Sequence, residues 1–237
     1  MIYAYAITAG APPADVLDGA PGLADAPLAA RTVEDVGAVY SRIERGPSPT
    51  REDILRHEQV IETLMRGRPL LPARFGTVLR DEAALDHLLT INHKGLAAGL
   101  DRIRGCVELG VRVMWDAAGT EVDEADHEPS PGATTGTAYL IVRAAQERRR
   151  RSTEARAGEL AANLNRLLRP CAKDGVVRVL PSPQVVMAAA YLVPQDRTGE
   201  FRNRVTEAGA AFETLKLLCS GPWPPYHFVP ELEVPRG

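Results

Sequence analysis

The sequence predicts an α+β protein of two domains, each a mostly antiparallel sheet with helices packed on it, and three observations carry that reading. Runs with strand alternation and runs with helical spacing are interleaved in the order β, β, β, α, β, α, β before residue 116. An acidic linker at 117–136 then separates them from a second series, α, β, β, α, β, which is one strand short of a ferredoxin-like unit. With 237 residues, both parts can bury a core. The division expected is an N-terminal α/β domain at 1–116, the linker, a ferredoxin-like domain at 137–219, and a Pro/aromatic tail at 220–237.

Residues 2–8 alternate apolar and small side chains with two tyrosines and predict a strand. Breakers from Gly10 to Pro27 restrict the next segment to one helical turn at 14–17. Segments 28–33 and 36–43 flank Glu34 and Asp35 and predict a hairpin. Ser48, Pro49 and Thr50 followed by Glu52 and Asp53 mark a helix start, with acids where the dipole is positive. Its apolar stripe, Ile54, Ile61, Leu64 and Met65, is broken in the middle by His57 and Glu58. Gly67 and Pro69 end that helix, and 70–79 predicts a strand with Pro72 at an edge or irregular position and Gly76 inside.

Asp81 and Glu82 open a second helix, whose stripe of Leu85, Leu88, Leu89, Leu96, Leu100 and Ile103 includes Asn92. Residues 107–115 predict a strand. Beyond the linker, a long helix spans about 137–169 and ends at Pro170. Strands at 176–180 and 185–193 flank a turn at 181–183, and a helix near 200–211 and a strand near 212–218 follow. The tail carries five prolines together with Trp223, Tyr226 and Phe228, so it loses less entropy on docking than an ordinary tail and is expected to be packed.

Composition narrows the function. Lys and Arg total 28 against 31 Asp and Glu, for a net charge of −3, so no overall field draws the chain to nucleic acid. No run approaches the roughly 18 apolar residues of a membrane span. The start has no leader pattern, and Cys106, Cys171 and Cys219 lack disulfide or metal spacing; a soluble cytoplasmic protein with free thiols is expected.

The catalytic motifs are incomplete. Residues 123–127, DEADH, would need a phosphate-cradling loop and a preceding hydrophobic strand, and neither is present. His57-Glu58 begins a zincin helix, but its second His position is Ile61. The run 148–151 is four arginines, which a helix distributes around its axis and does not gather into one patch. No cysteine lies in a motif with a base. No enzyme, cofactor or metal is expected.

Three segments, HEQVIETLM at 57–65, PLLPARFGTVLRDE at 69–82 and GPWPPYHFV at 221–229, in that order and at that separation, resemble the gas vesicle protein F/L family (GvpF/GvpL). The likeness extends to the starting strand at 1–8 and a glycine-bounded strand at 108–113. It implies a non-enzymatic accessory protein of gas vesicle assembly, with a two-domain fold of ferredoxin-like character, located with the vesicle. It also implies contact with the main shell protein A, whose aggregation it would prevent during nucleation, and with other gas vesicle accessory proteins. The runner-up is a small-molecule-binding regulatory domain pair, by fold analogy alone.

Within the likeness, His57, Glu58, Pro72, Arg74, Phe75 and Gly76 are expected to be structural. A carboxylate on an apolar stripe is costly unless paired, so Glu58 is expected to pair with Arg74. Trp223, Tyr226 and Phe228 are candidates for partner binding, or else dock on their own chain while 232–234 supplies the missing strand.

Overall fold

The computed structural model describes residues 1–18, 21–116, 136–180, 184–212 and 214–233. The chain divides into two compact units, Met1–Glu108 with Pro222–Gly237, and Leu109–Gly221. The linker expected at 117–136, with DEADH, lies outside the described residues except for Gly136, as do the turn at 181–183 and the last residues, 234–237.

In the first unit, β1 (Ile2–Ala9) is the hub of the sheet. It pairs antiparallel with β3 (Val36–Arg42), with β4 (Leu70–Pro72) and with β5 (Val78–Leu79), while β2 (Leu28–Val33) pairs with β3. Between β1 and β2 lies the single turn α1 (Ala14–Asp18). The expected hairpin forms with Val33 opposite Val36. Its turn places Glu34 at a φ of 54°, a cost that an exposed loop end tolerates.

Helix α2 (Arg51–Met65) starts as its sequence requires, with the Thr50 hydroxyl accepting from the Asp53 amide at 3.2 Å. Asp81 caps α3 (Glu82–Ile103) in the same way, accepting from the Ala84 amide at 2.9 Å. Glu82, in the first turn of α3, accepts from Tyr40 and Arg42 of β3 and pairs with Arg31 of β2, which moors the helix to the hairpin. Tyr3, Tyr5, Val39, Val60, Ile61, Leu64 and Leu70 form the core under α2.

The second unit is a four-stranded antiparallel sheet in the order β7-β8-β6-β9, with β6 Cys106–Trp115, β7 Asp174–Val179, β8 Val185–Pro194 and β9 Leu215–Trp223. Helix α4 (Gly136–Leu168) follows β6 and α5 (Thr198–Ala211) follows β8, so the unit reads β, α, β, β, α, β. The strand missing from the ferredoxin-like half is therefore β6, while residues 231–233 form no strand. Its core joins Leu109, Val111 and Val113 of β6 and Met187, Tyr191 and Val193 of β8 to one stripe of α4 (Ala157, Ala161, Leu164, Leu168) and to Phe201, Val205 and Ala208 of α5.

Two strand expectations are corrected. The strand expected over 70–79 is two short strands divided by a turn at 74–77, where the Thr77 amide donates to the Arg74 carbonyl at 3.1 Å. Gly76 stands third in that turn at a φ of +89°, the conformation a type II turn demands there and one a side chain resists. The last strand begins at Leu215, not near 212, and runs through Pro222 to Trp223; an edge strand tolerates a residue with no amide to donate.

Candidate functional site

The sequence motifs converge in the first unit on His57. The residue is fully buried, among the rings of Tyr3, Tyr5 and Phe75 at centroid distances of 5.6, 5.8 and 5.7 Å. Its Nε2 lies 3.1 Å from the carbonyl of Ala73, which can only accept, so Nε2 carries the proton. Nδ1 then accepts from the Tyr3 hydroxyl at 2.8 Å, and that hydroxyl accepts in turn from the Gly76 amide at 3.3 Å. Burial holds His57 down to about 4 and pushes Tyr3 up to about 12, so both are neutral near pH 7.

This relay explains the spacing of the first two motifs. Strand pairing brings Ala73 to β1, where its amide donates to the Tyr5 carbonyl at 2.8 Å, and the turn through Gly76 aims an amide at Tyr3. Phe75 packs edge-on against His57 at 90°. Pro72 is buried at the end of β4, whereas Arg74 is exposed. With both nitrogens of His57 engaged, neither holds a lone pair for a metal or substrate while the relay stands. A second tyrosine hydroxyl holds the Gly/Pro-rich loop: Tyr5 accepts from the Leu23 amide at 2.7 Å and meets Ser41 at 3.0 Å.

Glu58 takes its bond from the tail. The Tyr226 hydroxyl donates to its Oε1 at 2.8 Å, and among the described residues no ion pair joins Glu58 to Arg74, contrary to expectation. The physical reason is that a neutral hydroxyl already satisfies the half-buried carboxylate, leaving the exposed guanidinium hydrated.

The tail clasps the first unit at two further points, one inside the third motif and one just beyond it. The buried carboxylate of Glu108 accepts from the His227 backbone amide at 3.0 Å and from its Nδ1 at 2.7 Å. Asn92, the polar residue on the α3 stripe, donates to the Glu233 carbonyl at 3.0 Å and accepts from the Glu233 amide at 2.8 Å. Between these points Phe228 is 1% exposed, under the Arg102 guanidinium at 5.5 Å. Pro230 lies against Gly99, where a β-carbon would come within 3.2 Å of it. Of the three aromatics expected to meet a partner, Phe228 is therefore enclosed and Tyr226 is engaged with Glu58, while Trp223 is 46% exposed at the end of β9. The polar clasp residues Asn92 and Glu108 were not singled out as a site in the sequence, although a lone amide on an apolar stripe is the signal that points to Asn92.

Two other features could hold a ligand. Among the described residues, Glu34, Asp35 and His93 form the one cluster of metal-type ligands, with His93 Nε2 at 2.7 Å from Asp35 and 3.5 Å from Glu34. Both carboxylates stand three-quarters exposed at a hairpin turn, where hydration already satisfies them. A groove of about 580 Å³ runs beside residues 42–48 and includes Arg45, Pro47 and Ser48; it has the size of a small-molecule site. No helix of the described residues is long and apolar enough to cross a membrane.

Comparison with known proteins gives a consistent picture. The family described as gas vesicle synthesis protein GvpL/GvpF matches residues 1–230. Gas vesicle protein L of a Streptomyces species is 32% identical over 179 residues, covering 73% of this chain and 66% of that protein. Gas vesicle protein L of Haloferax mediterranei is 25% identical over 225 residues, 84% of this chain and 69% of that protein. The chain thus spans about two thirds of the length of these relatives. The crystal structure of GvpF from Anabaena sp. PCC7120 superposes with a TM-score of 0.75 at 21% identity, covering 100% of this chain and 98% of that one. GvpF from Microcystis aeruginosa does so with a TM-score of 0.75 at 19% identity, covering 97% and 99%.

Proposed function

The chain belongs to the gas vesicle synthesis protein GvpL/GvpF family and takes part in gas vesicle formation, and on that premise we propose that it is an assembly factor that binds the main shell protein A and keeps it from aggregating during vesicle nucleation. The observation that carries this reading is the family match over 1–230, nearly the whole chain. The geometry supports it from another direction. His57, Glu58, Phe75, Gly76 and Tyr226 spend their polar groups and rings on one another and on Tyr3 and Ala73, so the motifs build the first unit, and recognition falls to the surface. A shell subunit that faces gas must present apolar surface, which in water associates non-specifically unless a partner covers it. Large apolar side chains stand exposed on this chain, among them Leu55 at 50%, Leu140 at 64% and Leu218 at 46%. We place the protein with the vesicle in the cytoplasm, with other gas vesicle accessory proteins as further partners.

The test is the light scattering of shell protein A diluted from denaturant, with and without the full chain. Suppression at near-equimolar ratio together with co-purification is the expected result; equal scattering in both samples rules the activity out. The groove beside residues 42–48 favours a second reading, a regulatory ligand site, for which ligand-induced thermal stabilisation without capture of shell protein A would be the signature.

A further inference from the structure

The helices cover one face of the second unit's sheet, and strand alternation turns every other residue to the opposite face. On β6, Leu109, Val111 and Val113 join the helical core, which puts Arg112 and Met114 opposite; on β8 the core takes Val186 as well as Met187 and Ala189, and alternation from the last two puts the half-exposed Ala188 opposite; and on β9 it takes Leu215 and Leu217, which puts Lys216 and Leu218 opposite. Arg178 of β7 is registered with Ala188 and shares its face. The Trp115 amide donates to the Gln184 carbonyl at 3.1 Å and the Asp116 amide to the Thr214 carbonyl at 2.9 Å, so the end of β6 lies beside the starts of β8 and β9. All six side chains therefore gather at one end of one face. Farther along it, Ala190 and Leu192 are buried, but here Met114 and Ala188 are half-exposed, Leu218 is 46% exposed, and Arg112, Arg178 and Lys216 are exposed.

Charge decides what such a surface fits. The three cations form no ion pair among the described residues, whereas Arg150 and Arg151 on the exposed part of α4 are already neutralised by Glu147 and Glu154. Among the described residues one carboxylate, Asp116, closes the end of β6, against the three cations that stand around the apolar side chains. Nucleic acid would find the cations but no aromatic ring among the six on which to stack a base.

We propose that this open end of the sheet is the docking surface for the shell subunit, and that the subunit presents there a segment of apolar side chains flanked by carboxylates. The proposal rests on the shell-binding reading above and adds to it a place and a chemistry. Apolar contact with Met114, Ala188 and Leu218 supplies affinity, while Arg112, Arg178 and Lys216 steer and register the segment.

The test uses the full chain, shell protein A, and the double charge reversal Arg112→Glu with Arg178→Glu. Both sites are exposed, so the melting temperature should stay within a few degrees of wild type. Capture of shell protein A should weaken by at least roughly tenfold, the Arg112→Lys, Arg178→Lys pair should retain it within about threefold, and wild-type capture should fall as salt screens the cations. Equal capture by the reversed pair overturns the placement and leaves the shell-binding reading standing. Should wild type fail to capture shell protein A, that reading fails, and the surface is judged with a synthetic peptide alternating Leu and Glu: binding lost on reversal supports it, and no binding overturns it. A single-stranded RNA bound with the same dependence on Arg112 and Arg178 would overturn the peptide assignment. A tenfold gain in capture on changing the five acids of 121–128 to amides would name the chain's own acidic segment as occupant, and overturns it equally.

Discussion

Tyr226 Oη and Glu58 Oε1 are 2.8 Å apart although 168 residues separate them in the sequence. The bond joins the last of the three family-like segments to the first and relieves a carboxylate that interrupts the apolar stripe of α2. Burial, and then the bond to Glu58, push the Tyr226 hydroxyl far above its ordinary value, so it acts as a permanent donor.

Tyr226→Phe keeps the ring and removes the donor. A hydrogen bond to a charged group contributes about 1.5 to 3 kcal/mol, and partial exposure of Glu58 points to the lower end. A loss of about 1 to 2 kcal/mol in denaturant unfolding is expected, with Glu58→Gln costing less on the Tyr226→Phe background than on wild type. Additive losses would show that the two side chains are not coupled.

The pH response follows from His57. Its native value of about 4 lies below the ordinary 6.5, so between those limits the unfolded chain binds a proton that the native chain does not. The His57 contribution to stability is therefore fully present above about pH 6.5, falls as pH drops toward 4, and levels below that. At about 1.4 kcal/mol per pH unit, the window is worth about 3 kcal/mol. The melting temperatures of wild type and His57→Gln, compared from about pH 7.5 to about pH 4.5, check this: the variant should start lower and show the shallower decline.

Two glycines give opposite outcomes. A β-carbon at Gly37 would lie 2.3 Å from the Gly10 carbonyl oxygen and 2.9 Å from the Thr8 hydroxyl, so Gly37→Ala must displace backbone and should destabilise by about 2 kcal/mol or more. At Gly95, inside α3, such a carbon meets nothing within 4 Å, and Gly95→Ala should stabilise by about 0.5 to 1 kcal/mol. Thermal unfolding of the two variants should bracket wild type.

The tail clasp predicts graded losses. Phe228→Ala empties an enclosed site and should cost about 3 to 5 kcal/mol. Asn92→Leu removes both bonds to Glu233 but leaves Phe228 seated, so it should raise hydrogen exchange at 230–233 with a loss of only about 1 kcal/mol. Equal exchange in the variant and wild type would show that the Asn92 clip does not hold the chain end.

Local signals were legible wherever a residue's choice is decided by its neighbours in the chain. The helix starts at Thr50 and Asp81 and the 28–33/36–43 hairpin needed only capping chemistry, dipole and alternation, and the structure has them in place. The break of the α2 stripe at His57 and Glu58 was equally visible, as were the segments that carry the family likeness. The partner of Glu58 was not. Arg74 and Tyr226 are both plausible donors for a half-buried carboxylate, and nothing local distinguishes a residue 16 positions away from one 168 away.

Sequence by itself thus determined the helices and most of the strands, the α+β class, and the family, because capping, periodicity and motif order are properties of short segments. Only the tertiary structure decided that β6 completes the ferredoxin-like sheet, that the tail closes over Glu58, Glu108 and Asn92, and that His57 is a neutral member of a buried relay. The reason is physical. A strand's sheet neighbour, a hydrogen-bond partner and the desolvation that shifts a pKa all depend on which surfaces meet, and that choice is made by the whole chain's search for buried apolar area and paired polar groups.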